Sequence, residues 1–473
     1  MATTEPRPSV FSREHAPLTI GLILAITLNA FEALAVATVM PRAEDDLGGI
    51  ALYGWAFSGY LLASIVGITW AGEQADRHGP GRPLAIGMTL FGIGLLVAGF
   101  APSMLVLVIG RCIQGLGAGA LPAIAYVALG RGYPEQLRPR MLAMFATAWV
   151  VPGLAGPGVA AVIAEWISWR GAFLLFVPVI PLMAFLSLPP LFKMGPPGGE
   201  PSPSKIWPAI ALATAGGLAL GGIATGEPVL GAALVAAGIA AGYWPIRKLL
   251  PSGTFTAKKG LPAAVAGTGL INMAFFGAEA FIPYMLDTYR GYSTLLAGVA
   301  LTVTTLAWTG GSWIQERIVH RISRAKIAAT GSLLVAAGIA LVSLAILDAV
   351  HGAWVAIAWG VGGLGMGLAY PMFSLELLST SESGREGEAA GAMKLNETLM
   401  AAIGVGIAGG IVAAGENGGW TGGSLGLVFA LMATVAVLTA LVSTRLSHGI
   451  VPAAAAESGG QQPSVARAPS GAD

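Results

Sequence analysis

The sequence holds a single cysteine, Cys112, so no disulfide can form within the chain. Its five histidines fall in loops or tails and lack the spacing of metal ligands. Charged residues are only 10% of the 473, against about 25% in ordinary soluble domains. The net charge is +1, with no basic patch of the kind nucleic-acid binding needs. No nucleophile elbow and no phosphate-binding loop occurs, so neither hydrolytic nor ATP-driven chemistry has a basis. One stretch, "GVGGLG" at Gly360–Gly365, spells a dinucleotide fingerprint. It lies inside an apolar run rather than after a strand, so it reads as helix packing. No catalytic residue, metal or cofactor is expected, and the chain is not expected to be an enzyme.

What the sequence has is apolar length. Hydrophobic residues are 55%, and the 68 glycines are about twice the usual share of roughly 7%. Small residues at that density let helices approach closely in lipid. Stretches long enough to cross a bilayer fall at 18–40, 52–72, 83–101, 103–130, 140–165, 171–192, 207–226, 228–246, 261–286, 294–315, 326–347, 353–378, 389–413 and 423–445. The seventh and eighth are separated only by "GEP" at Gly226–Pro228, so 207–246 reads either as two spans or as one re-entrant hairpin.

Basic residues orient these spans. One set of loops holds Arg77, Arg82, Arg131, Arg138, Arg140, Lys193, Lys205, Arg247, Lys248, Lys258, Lys259, Arg317, Arg321, Arg324, Lys326 and Arg385. The other set holds Arg42, Arg170 and Arg290. That bias predicts both termini in the cytoplasm. The reading is an all-α polytopic membrane protein. Residues 1–17 form a cytoplasmic segment, 18–192 a six-helix half, 193–206 a Pro/Gly-rich linker and 207–246 an inserted helix pair. Residues 261–445 form a second six-helix half, and 452–473 a low-complexity tail expected to be disordered. A faint repeat supports two halves: "QGLGAGALP" (Gln114–Pro122) is similar to "GGLGMGLAYP" (Gly362–Pro371).

Several polar groups sit where lipid-facing helices have none. Glu32 lies in "TLNAFEALAVATVMP", where a carboxylate costs about 2.5–3.5 kcal/mol on insertion scales. Arg111 opens "RCIQGLGAG" in span four and is a candidate partner for it. A carboxyl held between burial, which favours its neutral form, and an arginine, which favours its charge, can load and release a proton. A purely structural Glu32–Arg111 pair is the competing account. Glu279 and Glu397 are alternative proton or cation sites. Lys394 lies three residues before Glu397, with Asn396 between them, so a local salt bridge is the plainer account there. Glu376, near a span end, is expected in water. Trp149, Phe275, Phe276, Tyr284 and Trp308 are candidates to line an apolar cavity.

The motifs resemble those of the major facilitator superfamily. "GEQADRHGPGR" is similar to its loop between spans two and three through Gly72, Asp76, Arg77, Gly79 and Arg82, with Pro80 and Gly81 departing from it. In the family this loop is a conformational latch. The acid at position 76 would brace the halves against the start of span thirteen, near Glu388–Gly391. Arg111, Gln114, Gly115 and Gly117 resemble the span-four pattern, whose arginine assists proton movement. Pro152, Gly153, Gly156 and Pro157 loosely match the antiporter motif of span five, and "WRGAF" (Trp169–Phe173) is similar to the start of span six. Glu32, counted back from Pro41, falls where the fourteen-span drug:proton antiporters carry an aspartate, although the Thr and Asn of their pattern are absent.

The resemblance implies two six-helix halves plus an inserted pair, fourteen spans in all, in a bacterial cytoplasmic membrane. It implies a monomer working by alternating access. The expected activity is export of lipophilic small molecules in exchange for protons, with the bilayer, that substrate and protons as its partners. Export of a lipid or natural product, or proton- or sodium-coupled import of a small metabolite, would use the same architecture.

Overall fold

The computed structural model describes residues 9–13, 15–134, 137–196, 204–225, 227–380 and 386–446. Arg385, the tail from 452 and residues 197–203 of the linker lie outside them, as does the side chain of Glu388. The described residues are all-helical, with no strand among them. Each apolar stretch read from the sequence is a helix. We number these α1 (Ala16–Leu47), α2 (Tyr53–His78), α3 (Gly81–Gly99), α4 (Met104–Gly132), α5 (two segments, Arg138–Thr147 and Val150–Trp166), α6 (Gly171–Phe192) and α7 (Ile206–Ala224). They continue as α8 (Pro228–Leu249), α9 (Leu261–Tyr289), α10 (Thr294–Ile318), α11 (Arg324–Ile346), α12 (Trp354–Thr380), α13 (Glu386–Asn417) and α14 (Thr421–Ser443). Thirteen are long and apolar enough to cross a membrane as single helices, and the split α5 contributes a shorter one. The inserted stretch forms two helices, α7 and α8, each long and apolar enough to cross a membrane.

Interruptions fall where proline dictates. In α5 the helix breaks at Ala148–Trp149 because Pro152 lacks an N–H for the Ala148 carbonyl and crowds it. In α9 Pro283 does the same to the carbonyl of Glu279, and the helix breaks at Ala280–Phe281 before ending in a short π segment, Met285–Tyr289. The Ala280 carbonyl, at the break, accepts a 3.3 Å bond from the Tyr53 hydroxyl.

Packing follows one pattern twice. In the first six helices α4 packs on α2 and α3, and α6 on α1 and α3. In the last six, α12 packs on α10 and α11, and α14 on α9 and α11. Glycine sets this closeness. A Cβ at Gly115 would collide with the Tyr60 carbonyl, and one at Gly119 with that of Ser64. Gly363 and Gly367 face the Thr304 and Trp308 carbonyls in the same way. The faint sequence repeat is thus two copies of one helix crossing, and "GVGGLG" belongs to that crossing. Helix α2 contacts α13, and α5 contacts α10, joining the two sets, while α7 lies against both α2 and α13.

Candidate functional site: a cavity between two helix bundles

A cavity of about 280 Å³ lies between the two sets of six. Helices α1, α2, α4 and α5 wall it on one side, and α9 and α13 on the other. Its lining is largely apolar (Leu34, Phe57, Leu61, Ile68, Val405); Asn29, Tyr60, Ser64, Asn272 and Thr398 are its neutral polar groups, and Arg111, Glu279, Lys394 and Glu397 its charged ones.

The end of the bundle away from the chain termini is closed. There the Arg42 Nε donates to Thr294 Oγ1 at 2.9 Å, the Thr294 hydroxyl donates to Asp287 Oδ2 at 2.5 Å, and Arg42 pairs with Asp287 at 3.4 Å. Tyr53 of α2 packs on Phe281 and Tyr284 of α9, with ring centroids 5.2 and 5.4 Å apart. Deeper in, the Ser58 hydroxyl donates to the Ala402 carbonyl at 2.8 Å, and a Cβ on Gly54 would touch the Gly409 Cα.

Glu32 and Arg111 meet. The carboxylate is 0% exposed and the guanidinium 2%, so neither reaches water. Arg111 Nη1 donates to Glu32 Oε1 and, at 2.7 Å, to Gln114 Oε1; its Nε donates to the Ala56 carbonyl at 2.9 Å. The Tyr60 ring lies 4.1 Å from the guanidinium carbon, and the Tyr60 hydroxyl donates to Asn29 Oδ1 at 3.1 Å. Glu32 Oε2 and Gln114 Nε2 have no hydrogen-bond partner among the described residues. Arg111 and Tyr60 line the cavity, whereas Glu32 is not among its lining residues and lies behind them. A buried pair of this kind is sensitive: removing one partner strands the other charge.

The opposite wall carries the other two acids. Glu279 accepts from the Trp359 indole N–H at 3.1 Å. Glu397 accepts from Lys394 Nζ at 2.8 Å and from the Tyr370 hydroxyl at 3.0 Å, so the local salt bridge exists and carries a third member. Of the five aromatic candidates, Trp149 and Phe276 line the cavity and the other three do not. Phe275 is stacked on Trp359 at 4.6 Å, with Trp308 edge-on to it at 5.4 Å, forming a layer behind the wall. Tyr284 is buried at the closed end, its hydroxyl donating to Glu416 Oε2 at 2.8 Å. Their side chains pack inward between helices, a direction that composition does not reveal. Glu376, expected in water, is 1% exposed and pairs with Arg324 at 3.3 Å.

The remaining motif residues are structural neighbours of the two-bundle interface. A Cβ on Gly153 would strike Thr305 of α10, and one on Gly298 of α10 would lie 2.8 Å from the Pro157 carbonyl. Gly156 faces Phe31 and Leu34 of α1, and Pro152 is buried. At the junction of α2 and α3, Asp76 and Arg77 in the last turn of α2 and Arg82 in the first turn of α3 are exposed. Gly79 adopts φ +82°, the left-handed turn that suits glycine. The acid found on a helix N-terminus is Glu73, not Asp76. Glu73 accepts from the Lys205 and Ile206 backbone N–H groups at 2.5 and 2.9 Å, at the start of α7, and pairs with Arg77 at 3.7 Å.

Sequence reasoning missed Tyr60, Asn29, Trp359, Tyr370, Glu73 and the Arg42–Asp287 contact. Asp287 and Arg42 had one usable signal, opposite charges at adjacent span ends on the same face of the membrane. Trp359 and Tyr370 had none, because an aromatic in a span looks the same facing lipid or an acid.

Two bundles of six helices around a central, polar-studded cavity define a membrane carrier. The chain belongs to the Major Facilitator Superfamily, whose family model matches residues 22–405. It is similar to a probable multidrug-efflux transporter of Mycobacterium tuberculosis, with 28% identity over 454 residues covering 90% of this chain and 94% of that one. It is also similar to the multidrug transporter protein MdtP of Bacillus subtilis, with 27% identity covering 76% of this chain and 68% of that one. Among solved structures it shares the fold of a POT family transporter, with a TM-score of 0.65, 17% identity and coverage of 90% and 94%. A D-xylose–proton symporter matches with a TM-score of 0.63, 16% identity and coverage of 91% and 98%. The protein is a multi-pass membrane transporter, not an enzyme.

Proposed function

We propose that the protein exports lipophilic small molecules in exchange for protons, as a monomer in a bacterial cytoplasmic membrane with both termini inside. The carrying observation is the arrangement at Glu32: a buried carboxyl with one oxygen unpartnered, held by Arg111 one layer behind an apolar cavity. Protonating Glu32 removes the charge that holds Arg111, which faces the cavity, so proton loading and cavity electrostatics are linked. Apolar walls suit a lipophilic cargo, and the relatives named as multidrug transporters support that class. The residues of 18–192 and 261–445 act as two bodies rocking about the cavity, with 207–246 riding against the seam. The present form is closed by Arg42, Asp287 and Tyr53 at the end away from the termini.

The test uses inside-out vesicles energised by a pH gradient, wild type beside Glu32→Gln, with a panel of lipophilic cations and neutral drugs. Compounds that collapse the gradient only with wild type support proton exchange through Glu32. Equal collapse with the variant moves coupling to Glu279 or Glu397. Flux without any proton movement overturns the antiport reading.

A further inference from the structure

The inserted pair and the connection that follows it carry a surface unused by transport. From Pro228 to Gly260 the chain has four basic residues, Arg247, Lys248, Lys258 and Lys259, and no Asp or Glu. All four are exposed. They sit at the end of α8 that leads to α9 and in the loop between these helices, the end that a membrane-spanning α8 would bring to the headgroups. Ile246, Leu249 and Leu250 of the same turn pack inward, which leaves the cations on the outer face.

Each α8 cation is paired with an aromatic ring rather than an acid. Arg247 lies 5.1 Å from the Tyr243 ring centroid and donates to its hydroxyl at 2.7 Å; Lys248 Nζ lies 4.7 Å from the Trp244 ring. The rings remain 62% and 52% exposed, and Trp207, at the adjoining start of α7, 71%. Such rings belong at the headgroup level. The loop is held in one shape: Arg445 of the chain after α14 donates to the Thr256 and Ala257 carbonyls at 2.8 and 3.3 Å. Ala257 takes φ +45°, the only described non-glycine residue at positive φ. That shape presents Phe255, 70% exposed, beside the two lysines.

We propose that this surface binds anionic phospholipid in the leaflet facing the chain termini. Arg247, Lys248, Lys258 and Lys259 take the phosphates, while Phe255, Tyr243 and Trp244 rest among the glycerol and upper acyl atoms. Neutral lipid offers the rings the same contact and leaves the cations without a counter-charge, so selectivity is for headgroup charge. A free phosphate would meet the cations and leave the exposed rings uncovered. The pair α7–α8 touches the rest of the molecule mainly through α7 against α2 and α13, so bound lipid would also tether α8, which has few protein neighbours.

The test is native mass spectrometry of the full-length protein released from nanodiscs of equal phosphatidylglycerol and phosphatidylcholine. Arg247→Gln with Lys248→Gln should lower retained phosphatidylglycerol about thirtyfold, the scale expected when two cations leave an anionic surface, and spare phosphatidylcholine. Arg321→Gln with Lys326→Gln removes the same charge from the junction of α10 and α11 and should change retention little. Melting in pure phosphatidylcholine should match wild type for both variants. Unchanged retention in the first variant overturns the site. So does an equal loss in the second, which would make retention a matter of overall charge, or a loss of both lipids together.

Discussion

Arg42 of α1 and Asp287 of α9 pair at 3.4 Å across the two bundles, and Thr294 at the start of α10 binds both side chains. The contact exists only while that end is shut. Arg42 is 40% exposed, so the pair is worth about 1 kcal/mol, in the upper part of the range for surface pairs. Asp287→Asn should therefore raise the population open at that end by about fivefold. Spin labels at positions 47 and 295, in a Cys112→Ser background, report it as growth of the longer distance. An unchanged distribution would mean that the aromatic contacts of Tyr53 alone hold this end.

Arg111→Ala strands a carboxylate that is 0% exposed, so it should destabilise the fold by about 3–5 kcal/mol. Pairing it with Glu32→Gln should recover most of that loss, since no charge is left buried. Arg111→Lys should recover little, because one ammonium cannot reproduce the bonds to Glu32, Gln114 and the Ala56 carbonyl. Thermal melting of the detergent-purified proteins orders the three variants.

Gly72, inside α2, and Gly79, just beyond its end, should behave differently. Gly79 has φ +82°, and an added Cβ would lie 2.6 Å from the Gly195 carbonyl oxygen. Gly79→Ala should cost about 1–2 kcal/mol from the backbone alone. An added Cβ at Gly72 meets nothing within 4 Å. Gly72→Ala, inside α2, should therefore stabilise this conformation by about 0.5–1 kcal/mol and raise its melting temperature. Any transport defect it shows would then belong to another conformation of the cycle.

Glu73 holds the first turn of α7 through two backbone N–H groups and the Ser204 hydroxyl, the last at 2.7 Å. Replacing it with Ala should remove about 1 kcal/mol of capping. Hydrogen exchange at the amides of Lys205 and Ile206 should quicken severalfold. Asp76→Ala should leave them as they are. The reverse result would place the latch acid on α7 and remove Glu73 from that role.

Helix number and order were legible because fourteen apolar stretches are separated by turns and charges; the breaks in α5 and α9 were not read, although Pro152 and Pro283 stand just after them. The buried pair was legible because Glu32 and Arg111 are each costly in oil and a partner lowers that cost. Side-chain direction was not. Phe275, Tyr284 and Trp308 carry the same residue signature as Phe276 and Trp149, and only the packing of α9 on its neighbours separates wall from backing. Glu73 was overlooked for a related reason. At the charged end of α2, the acid that meets another helix's first turn is chosen by where α7 begins, and α7 lies more than a hundred residues further along the chain.

Because Glu32 stands behind Arg111 and Tyr60 rather than in the cavity wall, the cargo's berth and the carboxyl are different addresses. Residues such as Leu34, Phe57, Ile68 and Val405 can be exchanged for others without touching a single bond of the Glu32–Arg111–Gln114 group. On the proposed reading, such a carrier can drift toward new compounds under selection while its engine stays as it was. Loss of the engine would leave a pore-sized berth that still fits its cargo and moves it only downhill.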